Sequence, residues 1–166
     1  MPAVPPTSSH ASRSPIRPIL WGGFLSGALD ITAAFVVYGS MGVRPIPLLQ
    51  GIASGLLGPS AFAGGWPTAL LGLFIEFLIA TGAAAVYFFA ARMLGFLARQ
   101  PWLAGPLYGI AVYWFMQLVV LPLSRFARHR FSIRLTLIGI AIHMACVGLP
   151  IALAVSRFRR PQRAAS

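Results

Sequence analysis

Two carboxylates occur in 166 residues, Asp30 and Glu76, and both stand inside apolar runs, "SGALDITAAF" and "LLGLFIEFLIATGAAA". Gln117, in "YWFMQLVVLP", and His143, in "LIGIAIHMACVG", are placed the same way. Carboxyl and imidazole groups exchange protons near neutrality once their surroundings perturb them, so Asp30, Glu76 and His143 suit a proton relay or acid–base chemistry. Gln117 suits an interhelical hydrogen bond. An ionised side chain at the centre of a bilayer costs about 2.5–3.5 kcal/mol on insertion scales, and retaining two of them calls for a partner, a proton or an aqueous cavity. These four residues form the candidate intramembrane polar site.

Other chemistry finds little support. Asp, Glu and His could hold a metal, but they lack tight ligand spacing, so no metal site is expected. There is no Gly-rich phosphate loop followed by Lys, no nucleophile elbow, no paired CxxC and no HExxH, so neither catalytic residues nor a cofactor are assigned. An intramembrane enzyme acting on lipid, with an acid and His143 as acid–base partners, would lack a placed nucleophile. The single Cys146 cannot form an intrachain disulfide and reads as a small packing residue.

The elements that must carry these groups follow from composition. Hydrophobic residues make up 58% of the chain and charged ones 9%, which is the balance of a membrane protein. The charge is almost entirely arginine: thirteen Lys plus Arg, all of them Arg, against two acids, a formal net charge of +11. These arginines sit in the tails and between apolar runs, where anionic lipid headgroups would meet them, and not on a solvated face with aromatics, so nucleic acid is not an expected partner.

A crossing helix needs roughly 20 apolar residues for ~30 Å of hydrocarbon. Four stretches qualify: Ile19–Gly39, Thr68–Ala91, Leu103–Leu123 and Leu135–Val155. Trp21, Trp66 and Trp102 near the starts of the first three, and Tyr38 at the end of the first, fit an interfacial aromatic belt. Pro67 is tolerated in a first turn, and Pro101 should stop an extension through "RMLGFLARQ". Between the first two spans, "PIPLLQGIASGLLGPSAFAGG" predicts a short helix around Leu48–Leu57, interfacial or re-entrant. The expected fold is all-α, a polytopic four-helix transmembrane bundle over residues 19–156. A mobile Pro/Ser-rich tail is expected over 1–18 and a basic tail over 157–166. The first apolar run reads as a retained span, not a cleaved signal.

Four spans place both termini on one side. That side collects Arg13, Arg17, Arg92, Arg99, Arg157, Arg159, Arg160 and Arg163, against Arg44, Arg125, Arg128, Arg130 and Arg134 on the other, so positive-inside bias puts the termini in the cytoplasm. By depth, Glu76, Gln117 and His143 are offset toward the opposite side, making one polar layer with Asp30. Small residues flank the acids at helical spacing: Gly23, Ser26 and Gly27 around Asp30, Gly72 and Ala80 around Glu76, with Gly139 beside His143. Such stripes let helices approach closely and turn the carboxyls inward. The GxxxG pairs Gly23–Gly27 and Gly105–Gly109 indicate packing or dimerisation at most.

The runs "LQGIASGLLGPSAFAGG", "TALLGLFIEFLIA" and "LIGIAIHMACVGLPIALAV", following "GALDITAAF", resemble a group of small bacterial inner-membrane proteins, loosely YagU-like, over roughly residues 19–156. That resemblance implies a bacterial inner-membrane location and carries no activity. Three functions are open at this point: proton or small-solute handling through the polar layer, a structural or assembly subunit in which the layer is interhelical glue, and the lipid enzyme. Four spans are few for a complete transporter, so transport would imply a homo-oligomer.

Overall fold

The computed structural model describes residues 15–125 and 132–159, and among them all regular structure is helical. Helix α1 spans Ile16–Ser40. Helix α2, Pro45–Leu57, runs on through a tight turn at Gly58–Ala63, and α3 spans Gly65–Met93. A short α4, Gly95–Arg99, leads into α5, Pro101–Phe115, which passes through a wide π turn at Met116–Val120 into α6, Leu121–Leu123. Finally α7, Ile133–Ile142, passes through a second π turn, His143–Gly148, into α8, Leu149–Arg159.

Five of these stretches are long and apolar enough to cross a membrane, one more than expected: Ile16–Ser40, Pro45–Ala63, Gly65–Met93, Pro101–Leu123 and Ile133–Phe158. The addition is the Gly/Pro-rich segment, whose helix begins at Pro45, three residues before the expected start. Pro45 opens it because a proline loses nothing at a first helical position, where the N–H has no partner anyway. Gly58, at φ +70°, ends it in a conformation that only glycine adopts readily. The other helices start two or three residues before their expected starts and run at most four residues past their expected ends, the third stopping at Leu123 as expected, and Pro101 starts α5. Of the expected N-terminal tail, residues 1–14 lie outside the described residues, as do Arg13, Arg128, Arg130, Arg160 and Arg163, while α1 starts at Ile16, within the range given to the tail.

Close contacts fix the helix directions. Gly22 lies against Ala84, Gly23 against Thr81 and Gly27 against Phe77 and Ala80, so α1 and α3 are antiparallel. Gly105 lies against Leu149, Gly109 against His143 and Met144, and Gly139 against the Tyr113 ring, so α5 and the α7–α8 rod are antiparallel too. Gly22 also meets Ile151 and Ala154, which joins the two pairs. The described ends, Pro15 and Arg159, therefore lie at one end of the bundle, called proximal here, together with α4. The α1–α2 and α2–α3 connections, the end of α6 and the start of α7 lie at the distal end.

The approach is set by missing side chains. A Cβ on Gly23 would stand 2.6 Å from the Thr81 Cα, and one on Gly105 would stand 2.8 Å from the Leu149 Cα. Gly72 packs on the α2 backbone at the Leu49 carbonyl, and Gly148 on the Gly105 carbonyl and the Gly109 N–H. The Gly105–Gly109 pair, a weak signal in the sequence, is thus the seam of α5 with the π turn of the last rod. Large side chains such as Phe74, Leu78, Val86, Leu118 and Leu137 point outward, as a lipid-facing surface requires.

Among the described residues two apolar clusters fill the interior. The proximal one gathers Tyr87, Phe88, Ala104, Ile151, Ala152 and Val155 among others, and the Tyr87 hydroxyl donates to the Leu97 carbonyl at 2.9 Å, pinning α4. The distal one is built from Ile31, Leu49 and Ala69, where α2 meets α1 and α3. Gly148→Ala should lower the thermal midpoint of the purified protein, because its Cβ meets rigid backbone and overpacking costs about 1–3 kcal/mol. Gly82→Ala, at a helical glycine with open space around it, should hold or raise the midpoint by the ~0.5–1 kcal/mol that Ala gains over Gly in a helix. Equal effects of the two substitutions on thermal unfolding would contradict this packing.

Candidate functional site

The antiparallel register of α1 and α3 brings Asp30 opposite Glu76. The small stripe Ser26–Gly27 on one helix and Ala80 on the other lets the backbones close until the two carboxyls are in hydrogen-bond contact. They line a cavity of about 50 Å³ with Ser26, Met116, His143 and Val147. On α3 this cavity lies between the distal cluster at Ala69 and the proximal one from Ala84 onward. A water-sized site needs about 10–15 Å³ on such a measure, so the cavity holds a few waters or a small ion and nothing larger.

His143 opens the second π turn. Its Nδ1 lies 2.9 Å from the Gly139 carbonyl; a carbonyl only accepts, so Nδ1 carries the proton and a neutral ring keeps its lone pair on Nε2. The Tyr113 ring meets the imidazole edge-on at 5.4 Å, holding the side chain on the cavity wall. Tyr38 and Cys146 are further titratable groups within electrostatic reach of Asp30. The arginines Arg44, Arg125 and Arg134 stand at helix ends, outside the layer.

Two buried oxygens in this cavity are orphaned. Ser26 Oγ, on a fully buried residue, and Asp30 Oδ1 find no hydrogen-bond partner among the described residues. Buried polar atoms are almost always paired, so two orphans in one small cavity mark space for something that pairs them.

Three of the four candidate residues, Asp30, Glu76 and His143, therefore line one cavity. Gln117 does not: it is exposed on the outside of the bundle. The four-residue step from the buried Tyr113 would keep Gln117 on the inner face of a regular helix, but the wide turn that begins at Met116 breaks that step, and Met116 stands on the cavity wall instead. Of the packing residues, Gly23, Gly27, Gly72 and Gly139 each take a close neighbour and Ala80 is buried. Ser26, expected only as packing, also lines the site; its i, i+4 relation to Asp30 is the signal that places it there. Gln50 carried no expectation at all. It is buried, and its amide donates to the Gly65 carbonyl at 3.0 Å and Thr68 Oγ1 at 3.3 Å, tying α2 to the start of α3.

Comparison of the chain with known protein families, with curated proteins and with solved structures gives no match. Placement of the site therefore rests on the geometry. Gln117→Leu should leave the thermal midpoint unchanged within about 0.5 kcal/mol, as replacements outside the packing do. His143→Phe should lower it by about 1 kcal/mol through the lost hydrogen bond. A large loss on Gln117→Leu in thermal unfolding would put that amide back inside the bundle.

Proposed function

We propose that the chain is an integral inner-membrane protein that takes up and releases protons at the Asp30–Glu76 pair, with His143 as the adjoining acid–base group. The observation that carries this is the carboxyl–carboxyl contact: two such groups in hydrogen-bond contact hold a proton between them, since two bare carboxylates would repel. The small cavity favours protons over a solute, because about 50 Å³ excludes metabolite-sized cargo.

Four crossings fit this reading better than five. Antiparallel α1 and α3 start and finish the α2 segment at the same distal end, and α2 alone, 13 residues long, rises only ~20 Å. It is a distal re-entrant or interfacial segment, held by the Gln50 bonds and by the Arg125 N–H on the Gly55 carbonyl at 2.8 Å. Among the described residues the proximal end carries five arginines, Arg17, Arg92, Arg99, Arg157 and Arg159, and the distal end three, Arg44, Arg125 and Arg134, which supports cytoplasmic termini with anionic headgroups at the Arg-rich flanks. The YagU-like resemblance accords with a bacterial inner membrane, and a homo-oligomer would suit a transport role. In a Cys146→Ser background, Arg44→Cys and Ser60→Cys should react with an impermeant thiol reagent from one side and Gln100→Cys from the other. Labelling of Arg44→Cys and Ser60→Cys from opposite sides would establish a fifth crossing.

The second reading is structural: the same carboxyl contact joins α1 to α3 and would serve as interhelical glue. Difference infrared spectroscopy in lipid separates the two. A carboxyl band assigned by Asp30→Asn and Glu76→Gln should titrate between about pH 5 and 8 if the pair exchanges protons with water. Bands that do not respond over that range, in variants that fold normally, would establish the structural reading.

A further inference from the structure

We infer that the cavity is a sodium site, in which one Na⁺ displaces the proton shared by Asp30 and Glu76. The inference rests on the proton-exchanging reading of that pair and names the ion that competes with the proton. The carboxyl pair alone would not make a cation site. The independent observation is Ser26: fully buried, lining the same cavity, and with an Oγ that no group among the described residues satisfies. With Asp30 Oδ1, also orphaned, and the Glu76 carboxyl, it offers three oxygens from two helices around one small space. Oxygen donors of this kind suit hard cations.

Charge and size select the ion. When the shared proton leaves, the pair carries one more negative charge than before, and one monovalent cation restores the balance with no net change inside the bilayer. Divalent ions fit poorly. Among the described residues no cluster of three or more His, Cys, Asp or Glu side chains is placed to hold a metal. Mg²⁺, moreover, dehydrates reluctantly and demands near-octahedral geometry, which three side-chain oxygens from two helices do not supply. A single Na⁺ with a water or two completing its shell fills the space. His143, whose Nδ1 is committed to the Gly139 carbonyl, stands beside the pair as an acid–base group and is not needed as a ligand.

The exchange is tested on the full-length protein in lipid, with NaCl against KCl at constant ionic strength and fixed pH. Na⁺ should shift the carboxyl infrared band and release about one proton per chain to a pH dye, K⁺ should do neither, and Ser26→Ala should raise the half-saturating Na⁺ by about tenfold or more. The pH titration of the band should persist in that variant. If the band titrates with pH but is indifferent to Na⁺, only water fills the cavity and the sodium site is overturned while proton exchange stands. If it responds to neither, both readings fail together. Because the decisive comparison uses the unmodified protein, it holds even if Ser26→Ala does not fold.

Discussion

Helices in hydrocarbon gain nothing by exchanging lipid contact for contact with each other unless they come close, and closeness is the constraint on which this bundle depends. Apolar burial cannot drive association there, so dispersion and weak polar contacts between backbones take over. The chain meets the condition by removing side chains where rods touch: Gly22, Gly23 and Gly27 on α1, Gly72 on α3, Gly105 and Gly109 on α5, Gly148 in the last rod. The polar layer is a consequence of that closeness. Carboxyls on two rods held apart by ordinary side chains would not reach each other across the gap.

The same economy explains how the interior is divided. Larger apolar groups, among them Tyr87, Phe88 and Ile151, fill the proximal third, and Ile31 and Leu49 the distal part. In between, small residues leave space without filling it, and polar atoms line the result. A dry cavity lined by leucine would be the cheaper structure. Retaining Ser26, Asp30, Glu76 and His143 around one space sacrifices stability that an apolar filling would supply, as sites often do.

Much of this arrangement was legible in the residues. Asp30 and Glu76 could be turned inward because small residues recur at three and four positions from each, and the antiparallel sense of neighbouring spans put them at one depth. The break at Pro101 follows from local chemistry, as expected, while α2 opens at Pro45 and not near the expected Leu48. What could not be read is long-range. The extent of α2 depends on contacts with Gly72 and on hydrogen bonds of Gln50 to residues 15 and 18 positions away, which no local pattern announces. Nor does a regular helical period place Gln117, which lies in a segment that abandons it.

That departure from the period has a wider meaning. A π turn accommodates one residue more than the α-helix around it, and one residue corresponds to about 100° of rotation. Among the described residues two such turns occur, in α5–α6 and in the α7–α8 rod, and the second begins at His143 itself. Which side chains see the cavity is therefore a matter of counting as well as of chemistry. Removing a single residue from either turn, while leaving every polar group in the chain, would rotate one half of a rod against the other and re-aim the wall of the site.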